Sequence, residues 1–318
     1  MIRIVLALAC LAVALPAPAQ PYPSRPVKIV VPFGTGGPAD LYARFLGAKL
    51  SEPMGQPFIV EDRPGAGSIV GTEAVQKSPA DGYTLLMMSN THTVNETLVP
   101  QKPFALMRDF APITGVNYSD LIMVIHPSVP AGNLKEFIAY AKSKPKELNY
   151  ASSGAGTPYH MAGELFKAMA GVDIVHVPYK GSDGARTGIL GGQVQMMIDA
   201  ITTMAPNVRS GKLKAMGTTG KTRSTVLPEV PTISEAGVPG YETGIWLGLM
   251  APAGTPRPVL ERLNAEVRKV LDSPEVREVW AKQGAEPMGM SIEQFDRFLR
   301  EDIAKWANVV KLTGAKVE

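Results

Sequence analysis

The chain has 318 residues, 32 Lys and Arg against 29 Asp and Glu, a formal net charge of +3 and a mean hydropathy of +0.04. So balanced a charge excludes a nucleic-acid or membrane-surface binder, and 45% apolar residues exclude a disordered or a membrane-embedded chain. The length suits two compact α/β domains.

At the N-terminus, Arg3 is followed by an apolar run over residues 4–15 and then by Pro16-Ala17-Pro18-Ala19-Gln20, the pattern of a secretory signal cleaved near Ala19. The run is about twelve residues, short of the roughly 20 that a bilayer span needs. Residues 1–19 therefore read as a signal peptide and not an anchor, which directs the chain to the periplasm. Cys10 is the only cysteine and lies in this segment, so the mature protein is expected to have no disulfide, thiol nucleophile or thiolate metal site.

Strands and helices alternate from there. Residues 27–31 are mostly apolar and β-branched, as a buried parallel strand requires. Gly34-Thr35-Gly36-Gly37-Pro38 follows, then a helical stretch with Leu41, Phe45 and Ala48 on one face and Tyr42, Leu46 and Leu50 beside it. A second strand at 58–60 runs into a glycine turn at 61–67. Residues 69–77 read as helix, Asp81-Gly82 as a turn, and 83–88 as a third strand ending in the loop Ser89-Asn90-Thr91-His92.

The second half repeats the plan. A strand at 121–125 precedes a helix opened by Asn133-Leu134-Lys135-Glu136, with Leu134, Phe137, Ile138 and Ala141 on one face. A strand at 148–151 leads through Ser152-Ser153 into a second glycine-proline loop, Gly154-Ala155-Gly156-Thr157-Pro158, whose helix carries Met161, Leu165 and Met169. Further strands fall at 174–177, at 194–198 (ending at Asp199) and at 212–216, before an extended run at 244–250. The tail is helical: one helix from Pro258 with Leu260, Leu263, Val267, Val270 and Leu271 on a face, one opened by Ser273-Pro274, and a last one capped by Ser291 and Gln294. That last helix has the stripe Phe295, Leu299, Ile303, Trp306 and Val310. Extended segments near 119–125 and 244–250 are the expected crossings between lobes, giving lobe 1 as 21–120 plus 248–318 and lobe 2 as 121–247.

The two Gly-x-Gly-x-Pro loops carry the chemistry. Glycine lets backbone N–H groups approach a ligand, and proline at the first helical position leaves the positive helix end facing outward, so each loop is an anion site. Two of them, similarly placed, predict two lobes facing one ligand. The alternative is a dinucleotide-binding oxidoreductase, since Gly34-x-Gly36-x-x-Ala39 followed by Glu61 imitates that fingerprint. Export counts against it, and it leaves the second loop unexplained. Ser152-Ser153-Gly154 lacks the serine-hydrolase elbow, and His92, His126 and His176 show no metal-ligand spacing, so they are expected to be structural, with no cofactor and no metal.

Taken in order, Val31-Pro32-Phe33 through Asp40, Glu61-Asp62-Arg63-Pro64-Gly65-Ala66-Gly67, Asp81-Gly82-Tyr83-Thr84-Leu85-Leu86, Asp109-Phe110-Ala111-Pro112, Ala151 through His160, Val177-Pro178-Tyr179-Lys180-Gly181, Leu227-Pro228-Glu229-Val230-Pro231-Thr232 and Ala251-Pro252-Ala253-Gly254-Thr255-Pro256 resemble the Bug family of extracytoplasmic solute receptors. These are the substrate-binding components of tripartite tricarboxylate transporters. The resemblance implies an α/β, two-lobed periplasmic-binding-protein fold of type II, each lobe a mainly parallel sheet flanked by helices and joined by crossover strands. It also implies a monomeric, non-enzymatic binder of a small carboxylate (a di- or tricarboxylate, an amino acid or an aromatic acid), with transporter membrane subunits or a sensor protein as partners. Many members carry Asn at the position of Asp62 and Gly at that of Ser68, and an extra carboxylate near the cleft is expected to disfavour an anionic solute or to select one with a positive group.

On this basis the expected ligand residues are Phe33, Thr35, Gly36, Gly37, Ser68, Ser89 and Asn90 from lobe 1, and Ser153, Gly156, Thr157, His160 and Asp199 from lobe 2. Asp40, at the third helical position, is expected to stabilise its own helix end. His160 holds the matching position in the second helix and is expected to point towards the cleft mouth.

Overall fold

The computed structural model describes residues 22–316; residues 1–19, expected from the sequence to be a signal peptide, lie outside them with Cys10. The first lobe opens with β1 (Val27–Val31), α1 (Pro38–Met54), β2 (Phe58–Asp62), α2 (Ile69–Gln76), β3 (Thr84–Ser89), α3 (Asn90–Leu98), α4 (Leu106–Asp109) and β4 (Phe110–Ser119). The chain crosses at Asp120 into β5 (Leu121–Ile125), α5 (Leu134–Ser143), β6 (Asn149–Ser152), α6 (Pro158–Ala170), β7 (Val175–Pro178), α7 (Ser182–Leu190), β8 (Met196–Ala200), α8 (Ile201–Arg209), β9 (Lys214–Thr218) and α9 (Ile233–Ala236). It returns through β10 (Ile245–Pro252) and ends with α10 (Arg257–Leu271), α11 (Pro274–Ala281), β11 (Ala285–Pro287) and α12 (Ile292–Thr313).

The two sheets have one plan. Their orders are β11-β4-β10-β3-β1-β2 and β7-β6-β8-β5-β9. In the first, β1 to β4 point the same way while β10 and β11 oppose them. In the second, β6 to β9 share a direction and β5 opposes them. Each sheet is thus mainly parallel with one reversed strand inserted before its fourth strand. That strand is the one on which the chain arrives from the other lobe. β10 joins the first sheet at Ile245, where it pairs with Ser119.

Packing decides which helix faces are inward. Tyr42, Leu46 and Leu50 of α1 are buried, but Leu41, expected on an apolar face, is 59% exposed. Asp40 beside it is buried instead, because its carboxylate is committed to the preceding loop. The ring of Tyr42 stands edge-on to Trp280 of α11 at 4.9 Å, with Phe45 tilted against the same indole at 5.7 Å. An almost fully buried indole of this kind contributes about 3–5 kcal/mol relative to Ala.

The last helix ties the lobes together. Phe295 and Leu299 of α12 pack with Trp246 and Met250 of β10, whereas Trp306 and Val309, two turns on, lie in the core of the second lobe with Phe137, Phe166 and Tyr241. Between them Asp302 accepts hydrogen bonds from Thr93 Oγ1 at 2.6 Å and Trp246 Nε1 at 3.2 Å. Gly248 permits the contact with Phe295, since a Cβ there would lie 2.2 Å from the ring edge.

Asp120 sits in the crossing itself, in a groove shared with Tyr118, Glu242 and Glu286 and bordered by Lys221 and Arg223. Burial, and then the carboxylates of Glu286 and Glu242, push Asp120 up to about 6 from 3.8. A carboxyl with a raised folded pKa contributes stability that is present at low pH and lost as pH rises through the folded value. Relative to Asp120→Asn, the wild-type protein is therefore expected to lose about 2 kcal/mol between roughly pH 4 and neutrality. Urea unfolding at stepped pH measures this, and parallel stability curves for the two proteins would refute it.

Candidate functional site

A cavity of about 300 Å³ lies between the lobes. The strand ends of β1, β3, β6 and β7 deliver it, each handing over to a helix whose first turn lines the wall: α1, α3, α6 and α7. Ligands in open α/β sheets bind at this carboxyl edge. Ile245 and Leu247 of the returning strand β10, with Phe33, add apolar surface.

The two glycine-proline loops have the same conformation. Gly36 and Gly156 both have left-handed backbones, with φ of 77° and 74°. Gly37 N–H donates to Gly34 O, and Thr157 N–H to Gly154 O, both at 3.4 Å. Gly37 and Thr157 are the N-caps and Pro38 and Pro158 the first helical residues. In each loop the second glycine's N–H is taken by the third helical side chain: Gly36 N–H by Asp40 Oδ2 at 2.8 Å, and Gly156 N–H by His160 Nδ1 at 3.0 Å. Asp40 therefore serves its own loop, and so does His160. Gly37 offers no side-chain cap, so the first turn of α1 keeps donors for a ligand.

The expected residues divide into those on the wall and those behind it. Phe33, Thr35, Gly36, Gly37, Ser89, Ser153 and Thr157 line the cavity. Thr35 gives its hydroxyl proton to Asp62 Oδ2 at 3.0 Å. Thr157 gives its own to Gly154 O at 2.7 Å and accepts His160 N–H, so it acts as a cap. Ser89, placed by sequence in a loop, is the N-cap of α3, with His92 completing the capping box. Asn90 is turned away, donating to Gly244 O of the crossing segment at 3.0 Å.

Ser68, Gly156, His160 and Asp199 also do not line the cavity. Ser68 caps α2 in a left-handed conformation, φ 80°, with a buried hydroxyl that has no partner. Gly156 faces α3, where an added Cβ would lie 3.0 Å from Leu98. His160, expected at the cleft mouth, is buried and stacks on His176 at 4.0 Å. Desolvation lowers these imidazoles to about 4 and about 3, with mutual repulsion adding to the shift of His176, so both are neutral at physiological pH. Asp199 is fully buried and held by Arg186 Nε at 2.7 Å. Asp62, a departure from the resembled pattern, is paired with Arg44 at 2.8 Å, which offsets its charge.

Thr91, read from the sequence with Ser89 and Asn90 as a residue of a loop at the strand end, lines the cavity, whereas sequence reasoning missed Tyr159 and the wall formed by 180–184 and Arg186. The signal for the last was the motif ending Tyr179-Lys180-Gly181, a strand end followed by glycine and then Ser182-Asp183, which is an N-terminal helix pattern.

The dinucleotide alternative loses its acidic residue: Glu61 is ion-paired with Lys28 at 2.5 Å and with Arg63. Fold and site together define a two-lobed solute receptor. The chain belongs to the tripartite tricarboxylate transporter family of receptors, whose family model matches residues 42–315. It is similar to BugT of Bordetella pertussis (strain Tohama I), 38% identical over 308 residues, 96% of this chain and 94% of that one. Among solved structures it is similar to R. palustris Rpa4515 with adipate (35% identity, TM-score 0.88, 93% of this chain and all of that one). It also resembles MatC from Rhodopseudomonas palustris with bound malate (34% identity, TM-score 0.83, 91% of this chain and 100% of that one) and periplasmic binding protein BugD (32% identity, TM-score 0.84, covering 93% and 100%). The solute-receptor function expected from sequence follows from this membership; the oxidoreductase alternative does not.

Two outcomes follow. Ser68→Gly relieves a left-handed backbone and removes an unpaired hydroxyl, and is expected to stabilise the protein by about 1 kcal/mol; a lower denaturation midpoint would contradict this. His160→Asn keeps an acceptor for Gly156 N–H but removes a titrating base. A base with a depressed folded pKa costs stability as pH falls below its unfolded value, since the unfolded chain takes up the proton. The variant is expected to lose stability less steeply than wild type between pH 6.5 and about 4, by up to about 1.4 kcal/mol per pH unit. Equal slopes in acid titrations of unfolding would exclude the assignment.

Proposed function

We propose that this protein is exported, cleaved near Ala19, and works in the periplasm as a monomeric receptor that captures a small carboxylate between its lobes, without chemistry. The observation that carries it is the pair of matched glycine-proline loops, one from each lobe, lining one cavity. Backbone donors of α1 and α6 receive the carboxylate, with Ser89 and Ser153 adding hydroxyls, and closure of the lobes completes the site. The closed form is what the transporter's membrane subunits, or a sensor protein, recognise. Supporting the ligand class, Rpa4515 and MatC are solved with adipate and malate.

A thermal-shift screen against dicarboxylates, tricarboxylates, amino acids and aromatic acids tests this. A ligand present at one hundred times its Kd is expected to stabilise the folded state by about 2.7 kcal/mol. Small-angle scattering with that ligand is expected to show a smaller radius of gyration. Silence across all carboxylates, or binding without compaction, would sink the proposal.

A further inference from the structure

The crossing strands separate two openings between the lobes. In the first sheet β4 and β10 lie in the middle of the order, with β3, β1 and β2 on one side and β11 on the other; in the second, β5 divides β8, β6 and β7 from β9. The cavity at the glycine-proline loops is walled from the β1, β3, β6 and β7 side. The groove at Asp120, about 250 Å³, lies on the other side, between residues 221–225 that follow β9 and residues 284–286 around the start of β11. Rotation about the crossings that narrows one opening therefore widens the other.

The lobes touch across this groove. The turn from α11 to β11 seats Gly284 on lobe 2, so close that a Cβ there would lie 2.8 Å from Ile201 and 3.1 Å from Val226. Beside it Thr225 Oγ1 donates to Ala281 O at 3.2 Å. These contacts enclose Asp120, which shares the groove with Tyr118 of β4, Glu286 of β11, Glu242 of the second crossing segment, and Lys221 and Arg223 of lobe 2. Arg223 is held by Glu235 at 2.8 Å, and Lys221 is exposed. Tyr118 keeps its proton, since burial, and then Asp120, raise its pKa.

Lobe 2 forms one wall of the burial that Asp120 experiences: a Cβ on Gly220 would lie 2.4 Å from Asp120 Oδ1. Burial is the first cause of the raised pKa of Asp120, ahead of Glu286 and Glu242. Lifting residues 220–225 away admits water and returns the carboxyl towards its ordinary range. Ionisation of Asp120 therefore favours the widened groove, and protonation the seated one.

We propose that this groove is a proton-operated latch: with Asp120 protonated, the α11–β11 turn stays seated on lobe 2 and holds the solute cleft apart, and with Asp120 ionised the groove widens and the cleft narrows. Solute affinity then rises with pH through the range in which Asp120 titrates. The inference rests on the receptor reading for what narrowing of the cleft achieves, but the latch itself is observable without a solute.

The test is small-angle scattering of the purified, solute-free protein at about pH 5 and about pH 7.5, on either side of the Asp120 titration, for the wild type, Asp120→Asn and Thr225→Val. Calorimetric titration with succinate and citrate at the same two pH values follows. The wild type is expected to have the smaller radius of gyration at the higher pH, and Asp120→Asn to keep the larger value at both. Thr225→Val removes the bond to Ala281 and is expected to be more compact than wild type at the lower pH. For a probe that binds, the wild-type affinity should gain about tenfold more than that of Asp120→Asn between the two pH values, the equivalent of one pKa unit. Comparing the two proteins cancels the ionisation of the solute. Wild-type scattering that ignores pH, or an Asp120→Asn protein that follows the wild type, would overturn the inference. Scattering that follows Asp120 while neither probe binds supports the latch and counts against the carboxylate-receptor reading alone.

Discussion

Four co-directional strands in each sheet must end at one edge, and the two edges must face each other; everything the cleft does follows from how the chain achieves this. Strands β1 to β3 and β6 to β8 are laid down by right-handed crossovers, which fix their direction. β10 and β5, returning from the opposite lobe, enter reversed between the third and fourth strands. Because both lobes use the same order, both present helix N-termini to the same space. The site is built twice, mostly from backbone, and needs no arginine of its own to attract an anion.

The matched loops show how geometry and charge are separated. One bond, from the second glycine N–H to the third helical side chain, holds each loop, and both an aspartate and an imidazole can accept it. The choice sets the local field. In lobe 1 the loop carries two carboxylates, Asp40 and Asp62, against the single guanidinium of Arg44. In lobe 2 desolvation keeps His160 and His176 neutral, and Arg186 is balanced by Asp199 and Asp183.

Much of this was legible in the sequence, and the failures share a cause. The apolar periods of β1, α1, α6 and α12 and the two glycine-proline patterns located both sheets and both loops. α3 stayed hidden because its inward face is polar: Asn90, Thr93 and Asn95 are buried on bonds to Gly244 O, Asp302 and Gly67 O. No apolar period marks such a helix. α7 carries Gly184 and Gly188 and reads as a loop, yet Gly188 is there because Tyr179 lies so close that a Cβ would meet its hydroxyl at 2.3 Å. With α7 went the Lys180 wall. Asp40, His160 and Asp199 were visible as polar residues at strand ends and helix starts. Their depth was not: Asp40 and His160 turn back onto a backbone N–H four residues earlier and Asp199 onto Arg186, and no apolar period marks such bonds.

The crossing strands and α12 together set what kind of motion the receptor can make. A pair of strands alone would let the lobes twist about either crossing. α12 adds a third tie, anchored in lobe 1 by Phe295 and Leu299 and in lobe 2 by Trp306 and Val309. Its buried Asp302 is bonded to Thr93 on α3, the helix whose N-cap, Ser89, lines the cleft. Closure that shifts one lobe must carry α12 or break these bonds, and a buried carboxylate robbed of its donors is expensive. Any movement between the lobes must therefore either keep α3 and α12 together about Asp302 or repack Trp306 and Val309 against the second lobe.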